Sequence, residues 1–381
     1  MALKYLYVPS GYKAGTAYGV LPNVANADLA LVRGSAGTRI NSDGLIESMA
    51  TNVPRLDYAD GSCPTLLTEP ESTNLCLNSA EGTYGNFPAS TAQTVAPDGT
   101  NTATIPTVNS VSNRYEYVIP AGTYATDTKI TYSWYRKRIS TPLDSTYIGD
   151  LRLTGFVNCS QVGSTTQIGS DIGGYDRFST TFNITDGALQ SKLRLYFGYV
   201  IGVGNSSIAY FGHQVEVGEY ATSYIPTNGA TVTRSADTEV VSGDLSSYLN
   251  SSEGVLEIKA KALFNNLINR EITLGDDTNN KSLTFRYSSV SNKIQGVFVK
   301  DSETVSVEYV VSDITEFNTI KIMWNATSIK LKVNGVERDS DTITGFSENT
   351  LTKLKLQRSG SGRAFEGNVQ YIKVYDSITD F

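Results

Sequence analysis

The segment SIKLKVNGVERD, residues 328–339, contains the clearest fold signal in this sequence. Its first half alternates apolar residues with lysines, which predicts a β-strand that has one apolar and one polar face. Asn334 and Gly335 then supply the two residues that accept positive φ in a type I′ turn. The segment therefore predicts an antiparallel β-hairpin.

The turn also sets which residues of the two strands face each other. Val333 is expected opposite Val336, and Lys332 opposite Glu337, which is a favourable cross-strand charge pair. Eight further segments of the last third have the same short strand-like rhythm: GVLEIKAKAL, REITLGDD, SLTFRYSS, IQGVFVK, VSVEYVV, NTIKIMWNA, LTKLKLQR and NVQYIKVYD. The last third is therefore predicted to be a β-sandwich.

The composition extends this fold class to the whole chain. Only 18% of the 381 residues are charged, whereas Gly, Ser, Thr and Asn are abundant and 23 residues are Tyr. Such a composition is typical of all-β proteins. Between residues 71 and 236, six strand-like runs separated by turns predict another β-sandwich: YEYVIPAGTY, KITYSWYRKR, LRLTGFV, GYDRFSTTFNI, KLRLYFGYVIG and SIAYFGHQVEVG.

Residues 1–70 have a different character, with many Gly, Pro and Asn residues and only short apolar pieces. Such a segment buries little of its own surface, so we expect it to pack on another domain, subunit or assembly. We predict an all-β chain with an N-terminal extended attachment segment over 1–70, followed by two β-sandwich (jelly-roll) domains over 71–236 and 237–381. The polar stretch SADTEVVSGDLSSYLNSSEG, residues 235–254, is predicted to be a linker or an edge loop between them.

Charge and hydropathy exclude several functional classes. The net charge is -7 and no basic run of five residues occurs, so nucleic-acid binding is not expected. No run of eighteen apolar residues is present, so no membrane insertion is predicted. Lys4 and Pro9 interrupt the apolar residues of the N-terminus, which does not resemble a signal peptide. The three cysteines, at 63, 76 and 159, are predicted to be free buried thiols, because the count is odd and no CxxC pair occurs.

The only histidine, His213, lies in the stretch FGHQVEVGEYATSYIPTNGATVTRSAD, residues 211–237. In an alternating strand Phe211, His213 and Val215 share one face, which predicts an imidazole that is half-buried beside aromatic residues. No GxSxG, HExxH or local Cys-His pattern accompanies it. We therefore predict a structural histidine, no catalytic residue and no enzymatic activity.

Paired carboxylates are the other candidates for a catalytic or metal site. Candidate pairs are Asp276 with Asp277, Asp171 with Asp176, and Glu69 with Glu71, and nothing in the sequence selects one pair as the acid and base of a glycosidase. Asp276 and Asp277 lie in a polar turn in which carboxylate and amide oxygens cluster. These two residues are the calcium candidates of the sequence, although EF-hand spacing is absent. No other cofactor is predicted.

Aromatic residues could bind sugar rings by stacking. Trp134 and Trp324 lie in the middle of apolar strands, where a tryptophan is expected to be part of the core. The loop tyrosines Tyr84, Tyr175 and Tyr248 are freer to face solvent, but they form no recognisable cluster in the sequence. No ligand-binding residue is assigned from the sequence.

Several strings resemble virion proteins of tailed bacteriophages, in particular fibre and receptor-binding proteins. They are GTRINSDGLIESMATNVPRLDYADGSCPTLLTEPESTNLCLNS at 37–79, VAPDGTNTATIP at 95–106 and HQVEVGEYATSYIPTNGATVTRSAD at 213–237. The second and third are similar to the start and the end of a carbohydrate-binding-module-like sandwich in those proteins. In the last third, FNTIKIMWNATSIKLKVNGVERDS and AFEGNVQYIKVYDSITD resemble laminin-G or concanavalin-like jelly rolls.

This resemblance implies a structural virion protein, a head or tail fibre or a decoration protein, that displays β-sandwich domains for adhesion to the host surface. It implies a homo-oligomer, as a trimer, whose N-terminal segment binds other capsid or tail proteins, with assembly in the host cytoplasm and a final location in the virion. The alternative is a glycan-binding lectin module that recognises host cell-surface polysaccharide. A capsule-degrading glycosidase is less expected, because no fixed-period repeat is visible.

Overall fold

The computed structural model describes residues 2–13, 16–80, 92–105, 107–108, 124–139, 147–152, 159–185, 196–200, 204–205, 208–278, 280–358 and 363–379. This part of the chain is almost entirely β-structure, and its one helix is the 3₁₀ turn Ala25–Ala27. The prediction of an all-β fold is confirmed. In the same described ranges, no helix has the length and hydropathy needed to cross a bilayer.

The strands of the first half are β1 (Leu3–Lys13), β2 (Thr16–Leu21), β3 (Ala30–Val32), β4 (Gly37–Ile40), β5 (Ile46–Met49), β6 (Arg55–Asp57), β7 (Thr65–Thr68), β8 (Ser72–Asn74), β9 (Ala92–Thr94), β10 (Ala103–Ile105), β11 (Thr107–Val108), β12 (Lys129–Arg138), β13 (Tyr147–Arg152), β14 (Cys159–Ile172), β15 (Tyr175–Ile184) and β16 (Tyr196–Val200). Those of the second half are β17 (Gly204–Asn205), β18 (Ile208–Val217), β19 (Val232–Arg234), β20 (Thr238–Val241), β21 (Gly254–Ala262), β22 (Arg270–Gly275), β23 (Lys281–Tyr287), β24 (Lys293–Lys300), β25 (Glu303–Val310), β26 (Asn318–Trp324), β27 (Ser328–Val333), β28 (Val336–Thr342), β29 (Lys353–Lys355), β30 (Gln357–Arg358), β31 (Arg363–Ala364) and β32 (Gly367–Tyr375).

The chain forms two compact units that are not contiguous in sequence. Unit 1 comprises Met1–Ala36, Met49–Pro70 and Ser235–Phe381, and unit 2 comprises Gly37–Ser48 and Glu71–Arg234. The sequence predicts a separate attachment segment over residues 1–70. In the structure, most of that segment belongs to the same compact unit as the last third of the chain.

Unit 1 is a β-sandwich. One sheet has nine strands, with the order β2-β1-β32-β21-β26-β27-β28 and with β7 and β6 attached through β32. The other has seven strands, with the order β25-β24-β23-β22-β29-β20-β3. Apolar side chains from both sheets, such as those of Leu256, Ile322, Phe285 and Phe298, form one continuous core. Burial of this core is the main stabilising contribution to the unit.

The predicted hairpin is present in the register that the turn imposes. Val333 pairs with Val336 and Lys332 with Glu337. The φ angles of Asn334 and Gly335 are 49° and 84°, as a type I′ turn requires. This prediction is confirmed. The eight further strand-like segments of the last third also contain strands, namely β21–β26, β29 with β30, and β32.

The N-terminal residues complete both sheets of unit 1. Strand β1 pairs with β32, where Tyr5 lies opposite Val374, and β3 pairs with β20. Tyr5 and Tyr7 alternate along β1 and are fully buried in the core. Strands β1 and β3 belong to the sandwich because the sandwich covers their apolar side chains.

The stretch 235–254, predicted to be a linker or an edge loop, belongs to the sandwich of unit 1 instead of linking two domains. Strand β20 lies inside the seven-stranded sheet, between β29 and β3. Val240, Leu245 and Leu249 from this stretch are buried in the core of unit 1. Three apolar residues among many serines are enough to hold the segment in the sandwich, because each of them reaches the core.

Unit 2 contains a six-stranded sheet with the order β14-β15-β12-β18-β10-β9. The predicted runs KITYSWYRKR, GYDRFSTTFNI and SIAYFGHQVEVG contain β12, β15 and β18, LRLTGFV and KLRLYFGYVIG overlap β13 and β16, and YEYVIPAGTY lies outside the described residues except for Tyr124. Trp134 is buried against Tyr132 and Phe178 in this unit, and Trp324 is buried in unit 1. Both tryptophans are core residues, as predicted.

A bulge in β18 overturns the expectation that Phe211 and Val215 share a face. Gly212 has a φ of +65°, and the pairing of β18 with β12 shifts register at this point. Val215 faces Tyr132 in one hydrophobic cluster, whereas Phe211 packs with Tyr135 in another. The extra residue at the bulge breaks the period of two and moves Phe211 to the other face.

Candidate functional site

His213 is a core residue of unit 2. The structure buries it completely, not by half as predicted. Its Nδ1 lies 2.7 Å from the hydroxyl of Tyr132, and the two rings are stacked with centroids 6.2 Å apart. Burial lowers the pKa of His213 to about 3, so the imidazole is neutral at physiological pH. The described contacts give this histidine a packing role.

The residues after His213 fix the position of the loop that follows β18 in unit 2. The Gln214 amide donates to the Glu216 carboxylate at 2.7 Å and accepts from the backbone N–H of Ile225 at 2.6 Å. Glu216 in turn accepts from the backbone N–H of Thr222 at 3.0 Å and from the Ser72 hydroxyl at 2.6 Å. These buried side chains form hydrogen bonds with backbone groups of the loop that follows β18, as a neighbouring strand would do in a sheet.

Asn74, near the start of the segment Glu71–Arg234 of unit 2, hydrogen-bonds to the same loop. Its Nδ2 donates to the carbonyls of His213 and Ile225, and its Oδ1 accepts from the backbone N–H groups of Cys76 and Val215. All four hydrogen-bonding sites of the amide are therefore satisfied within the protein. The distinctive string that contains Gln214 and Glu216 thus has a structural explanation.

Asp276 and Asp277, the calcium candidates, lie in the turn between β22 and β23. Asp276 accepts hydrogen bonds from the backbone and hydroxyl of Thr278. Asp277 lies 2.7 Å from the Lys353 ammonium and 3.5 Å from that of Lys355. The hydrogen bond from Lys353 lowers the pKa of Asp277. Lysines occupy the position beside Asp277 that a cation would need, and calcium binding here stays a prediction.

Neither the acidic nor the sulfur-containing side chains form a metal centre in the described ranges. No group of three His, Cys, Asp or Glu residues there is arranged to hold a metal ion. Cys76 is a free buried thiol, as predicted, but Cys63 is exposed because it lies in the turn between β6 and β7. The side chain of Cys159 lies outside the described part.

A buried ion-pair network lies in unit 1. The Asp237 carboxylate accepts from Arg33 Nη1 at 3.0 Å, from Arg55 Nη2 and from the backbone N–H of Glu69 at 2.9 Å. Arg55 Nη1 lies 2.5 Å from the Glu69 carboxylate. Burial alone would lower the pKa of Arg55, but the charges of Asp237 and Glu69 outweigh it and raise that pKa. All four side chains are nearly inaccessible to solvent. Glu69 is therefore committed to the structure and cannot act with Glu71 as an acid–base pair.

The candidate site lies on the outer face of the seven-stranded sheet of unit 1. Four polar side chains follow one another across neighbouring strands, and we call them the polar row: Glu271 on β22, Arg286 on β23, Gln295 on β24 and Glu308 on β25. The alternate residues of these strands, such as Ile272, face the core. The sheet register therefore places these four side chains on one side.

Hydrogen bonds connect the polar row without a break. Arg286 Nε donates to the Glu271 carboxylate at 2.6 Å, and its Nη1 donates to Gln295 Oε1 at 3.4 Å. Gln295 Nε2 donates to Glu308 at 2.9 Å, and Lys293 donates to the other oxygen of Glu308 at 2.8 Å. The row is therefore rigid and alternates donors with acceptors.

Exposure along the polar row is graded. The side chain of Glu271 is 0% exposed, that of Arg286 14% and that of Glu308 44%. Side-chain exposure in the row thus increases from the buried carboxylate of Glu271 to the solvent-exposed carboxylate of Glu308 on the edge strand. A ligand entering over β25 would meet polar groups whose positions are already fixed.

Small polar residues adjoin the row on the same face. Thr273 and Thr284 face each other with their hydroxyls 3.1 Å apart. Ser282 lies two residues before Thr284 on β23, is almost fully buried, and its hydroxyl makes no hydrogen bond in the described part of the structure. A buried hydroxyl of this kind requires a partner, which a polar ligand or water would provide.

The polar row carries a net charge of -1, which the neighbouring Lys293 balances. Glu271 and Glu308 are matched by Arg286 and Lys293. Hydrogen bonds from Lys293 and Gln295 lower the pKa of Glu308 and keep it ionised. A glycosidase needs one carboxyl group that remains protonated near neutral pH, so Glu308 is unsuited to that role. The row combines donors and acceptors that hydrogen bonds hold in place.

Sequence reasoning did not find the polar row. Each of its residues lies on a different strand, and only the pairing register brings them together. A partial signal was available, since each residue occupies a polar position in an alternating strand. Of the loop tyrosines considered instead, Tyr175 is buried in β15, Tyr248 is partly exposed, and Tyr84 lies outside the described residues.

No family model and no curated protein matches this chain. Among solved structures, the CBM40 module of Ruminococcus gnavus IT-sialidase bound to α2,3-sialyllactose is similar at 15% identity, over 34% of this chain and 80% of that chain, with a TM-score of 0.29. Mouse laminin α1 chain domains LG4-5 are similar at 10% identity, over 78% and 91%, with a TM-score of 0.27. Sheep galectin-11 in complex with glycerol is similar at 12% identity, over 33% and 87%, with a TM-score of 0.21. Similarities at these TM-scores carry no weight for the function of this chain.

Proposed function

We propose that this protein is a glycan-binding adhesion protein without catalytic activity, and that the polar row of unit 1 contacts the sugar. The observation that carries the proposal is the uninterrupted series of donors and acceptors from Glu271 to Glu308 on an outer sheet face. Sugar hydroxyls both donate and accept hydrogen bonds, so they complement such an alternating series. A neutral sugar fits best, because Lys293 cancels the net charge of the row.

The rigidity of the polar row favours sugar binding. Arg286 and Gln295 are held by their neighbours before a ligand arrives, so little side-chain entropy is lost when a sugar binds. The buried end at Glu271 excludes water from one side of the row, which strengthens hydrogen bonds there. The exposed end at Glu308 leaves room for a longer saccharide to continue into solvent.

The test is binding of neutral gluco-, galacto- and manno-oligosaccharides to the purified full chain, by array and then by isothermal titration calorimetry. Replacing Arg286 with Met removes a charged donor worth about 1.5–3 kcal/mol, so affinity should fall about 10- to 100-fold. The control is Arg338→Met, because Arg338 is an arginine of β28 that lies over the Tyr309 ring and outside the row. Absence of binding to every neutral oligosaccharide, or equal loss in both variants, would contradict the proposal.

The sequence strings at 37–79, 95–106 and 213–237 support a second element of the proposal, that adhesion takes place on a bacteriophage virion. In this setting the protein is a homotrimer, and other capsid or tail proteins bind its N-terminal segment. Immunogold labelling of intact particles tests the location, and light scattering of the purified chain tests the oligomeric state. Unlabelled particles would remove the virion role and leave the glycan-binding role intact.

A further inference from the structure

The outer face of the nine-stranded sheet of unit 1 carries many lysines, although the chain as a whole has a net charge of -7. We call this surface the basic face. Its lysines are Lys259 on β21, Lys321 on β26, Lys330 and Lys332 on β27, and Lys373 on β32. Residues that alternate with them, such as Ile258, Ile320 and Leu331, face the core. The period of two therefore places all five ammonium groups on the same side.

The strand register brings three of these lysines into one line. Lys332 lies opposite Lys321, Lys321 opposite Glu257, and Glu257 opposite Lys373. Four neighbouring strands span about 14 Å at the usual spacing between strands. Lysines directly opposite each other repel and destabilise a sheet. Glu257, which lies 3.2 Å from the Lys321 ammonium, and Glu337, which lies opposite Lys332, offset this repulsion.

Glu257 organises the centre of the basic face. Its carboxylate lies 2.9 Å from the Tyr371 hydroxyl, 3.2 Å from the Lys321 ammonium and 3.5 Å from that of Lys373. Burial alone would raise the pKa of Glu257, but hydrogen bonds from Tyr371 and Lys321 and the charges of both lysines outweigh it and lower that pKa. Glu257 is therefore ionised and holds its neighbours in fixed positions.

Two tyrosines complete the surface. Tyr371 and Tyr375 both point their hydroxyls at Glu257, at 2.9 and 3.4 Å, and both side chains are half-buried. The Lys373 ammonium lies 4.2 Å from the centre of the Tyr371 ring. Aromatic rings held in this way offer apolar contact area at low entropic cost. The basic face thus combines cations with aromatic surface.

The charge of this surface differs in sign from that of the rest of the protein. The five lysines outnumber the two carboxylates that they contact or face, Glu257 and Glu337, so this surface is locally positive although the whole chain carries -7. The lysines are accessible, since Lys330 is 36% and Lys373 28% exposed. A local field of this sign concentrates anionic partners at the surface.

We propose that the basic face binds a carboxylated polysaccharide. The lysines pair with its carboxylates, and Tyr371 and Tyr375 contact the sugar rings between them. Duplex DNA fits less well, because it carries about one charge per 1.7 Å and would place phosphates against the Glu257 carboxylate. This proposal concerns the opposite sheet from the polar row, so it stands or fails independently of neutral-glycan binding.

The experiment uses the full chain and oligomers of polygalacturonate as the probe, with binding measured by calorimetry at low salt. The double variant Lys321→Gln/Lys373→Gln should bind at least tenfold more weakly. The matched control is Lys281→Gln/Lys300→Gln, which also removes two lysines, but from the other sheet, where they lie opposite each other on β23 and β24. The control should bind within about twofold of the parent, and 0.5 M NaCl should weaken binding of the parent because salt screens exposed charges.

Three results would overturn the proposal. These are no binding of polygalacturonate at low salt, equal loss in the control variant, or equally tight binding of a 20-base-pair DNA duplex that the same double variant loses. Thermal unfolding verifies that both variants fold, because replacing Lys321 and Lys373 removes both cations from the Glu257 carboxylate. The variant Arg286→Met should retain polygalacturonate binding, which separates this surface from the polar row.

Discussion

The buried carboxylate of Asp237 offers the sharpest test of the structure. Replacing it with Asn keeps the shape but removes the charge that faces Arg33 and Arg55. Two charge-assisted hydrogen bonds are weakened at once, each worth about 1.5–3 kcal/mol. Loss of one partner from a buried ion pair costs about 3–5 kcal/mol, because an uncompensated charge stays in the core. We therefore expect unit 1 to lose about 3–5 kcal/mol of unfolding free energy.

Urea unfolding measures this loss, and hydrogen exchange attributes it to unit 1. With a urea slope of about 2–3 kcal/mol per molar, the midpoint should fall by about 1–2 M. The control is Asp301→Asn, because Asp301 is exposed in a turn with a φ of 54°, a conformation that Asn tolerates well. Its midpoint should stay within about 0.3 M of the parent. A midpoint for Asp237→Asn that is equally unchanged would refute the reasoning about the ion-pair network.

Three further predictions concern single positions. The pKa of His213 is about 3 in the folded chain and 6.5 as a free side chain, so the unfolded state binds more protons between these two pH values. The stability of unit 2 should therefore fall as the pH drops from about 6.5 towards 3. In urea titrations, His213→Gln should flatten this dependence of stability on pH. Gly212→Ala should destabilise unit 2 by about 2 kcal/mol or more in thermal unfolding, because its Cβ would lie 2.6 Å from the Tyr135 ring at a φ of +65°. Gly335→Val should cost about 1–2 kcal/mol in urea unfolding, because the turn needs a φ of +84° there, and no change would argue against the type I′ turn.

Local patterns in the sequence were sufficient for most strands of the last third and for the central strands β12, β15 and β18 of unit 2. Alternation with a period of two, the Asn334-Gly335 turn and the apolar setting of Trp134 and Trp324 depend on near neighbours only. The same patterns failed where one residue altered the period. The bulge at Gly212 moves Phe211 to the other face of β18, and nothing in the local pattern distinguishes it from a regular strand.

The division of the chain into units depended on distant contacts. Residues 1–36 and 49–70 join the last third because β1 pairs with β32 and β3 with β20, more than 200 positions apart. Segment 235–254 looked like a linker because most of its residues are polar. Val240, Leu245 and Leu249 instead reach the core of unit 1, and the depth of a core pocket cannot be read from the segment that fills it.

The sequence by itself determined the all-β class, the hairpin at 328–339, the core role of the tryptophans and the structural role of His213. Only the tertiary structure decided the two surfaces that carry the proposals. The polar row joins one side chain from each of four strands, and the basic face joins lysines and tyrosines from four others. Strand order and register create both surfaces. These are set by packing and hydrogen bonding across the whole sheet, so no single segment of the sequence contains either site.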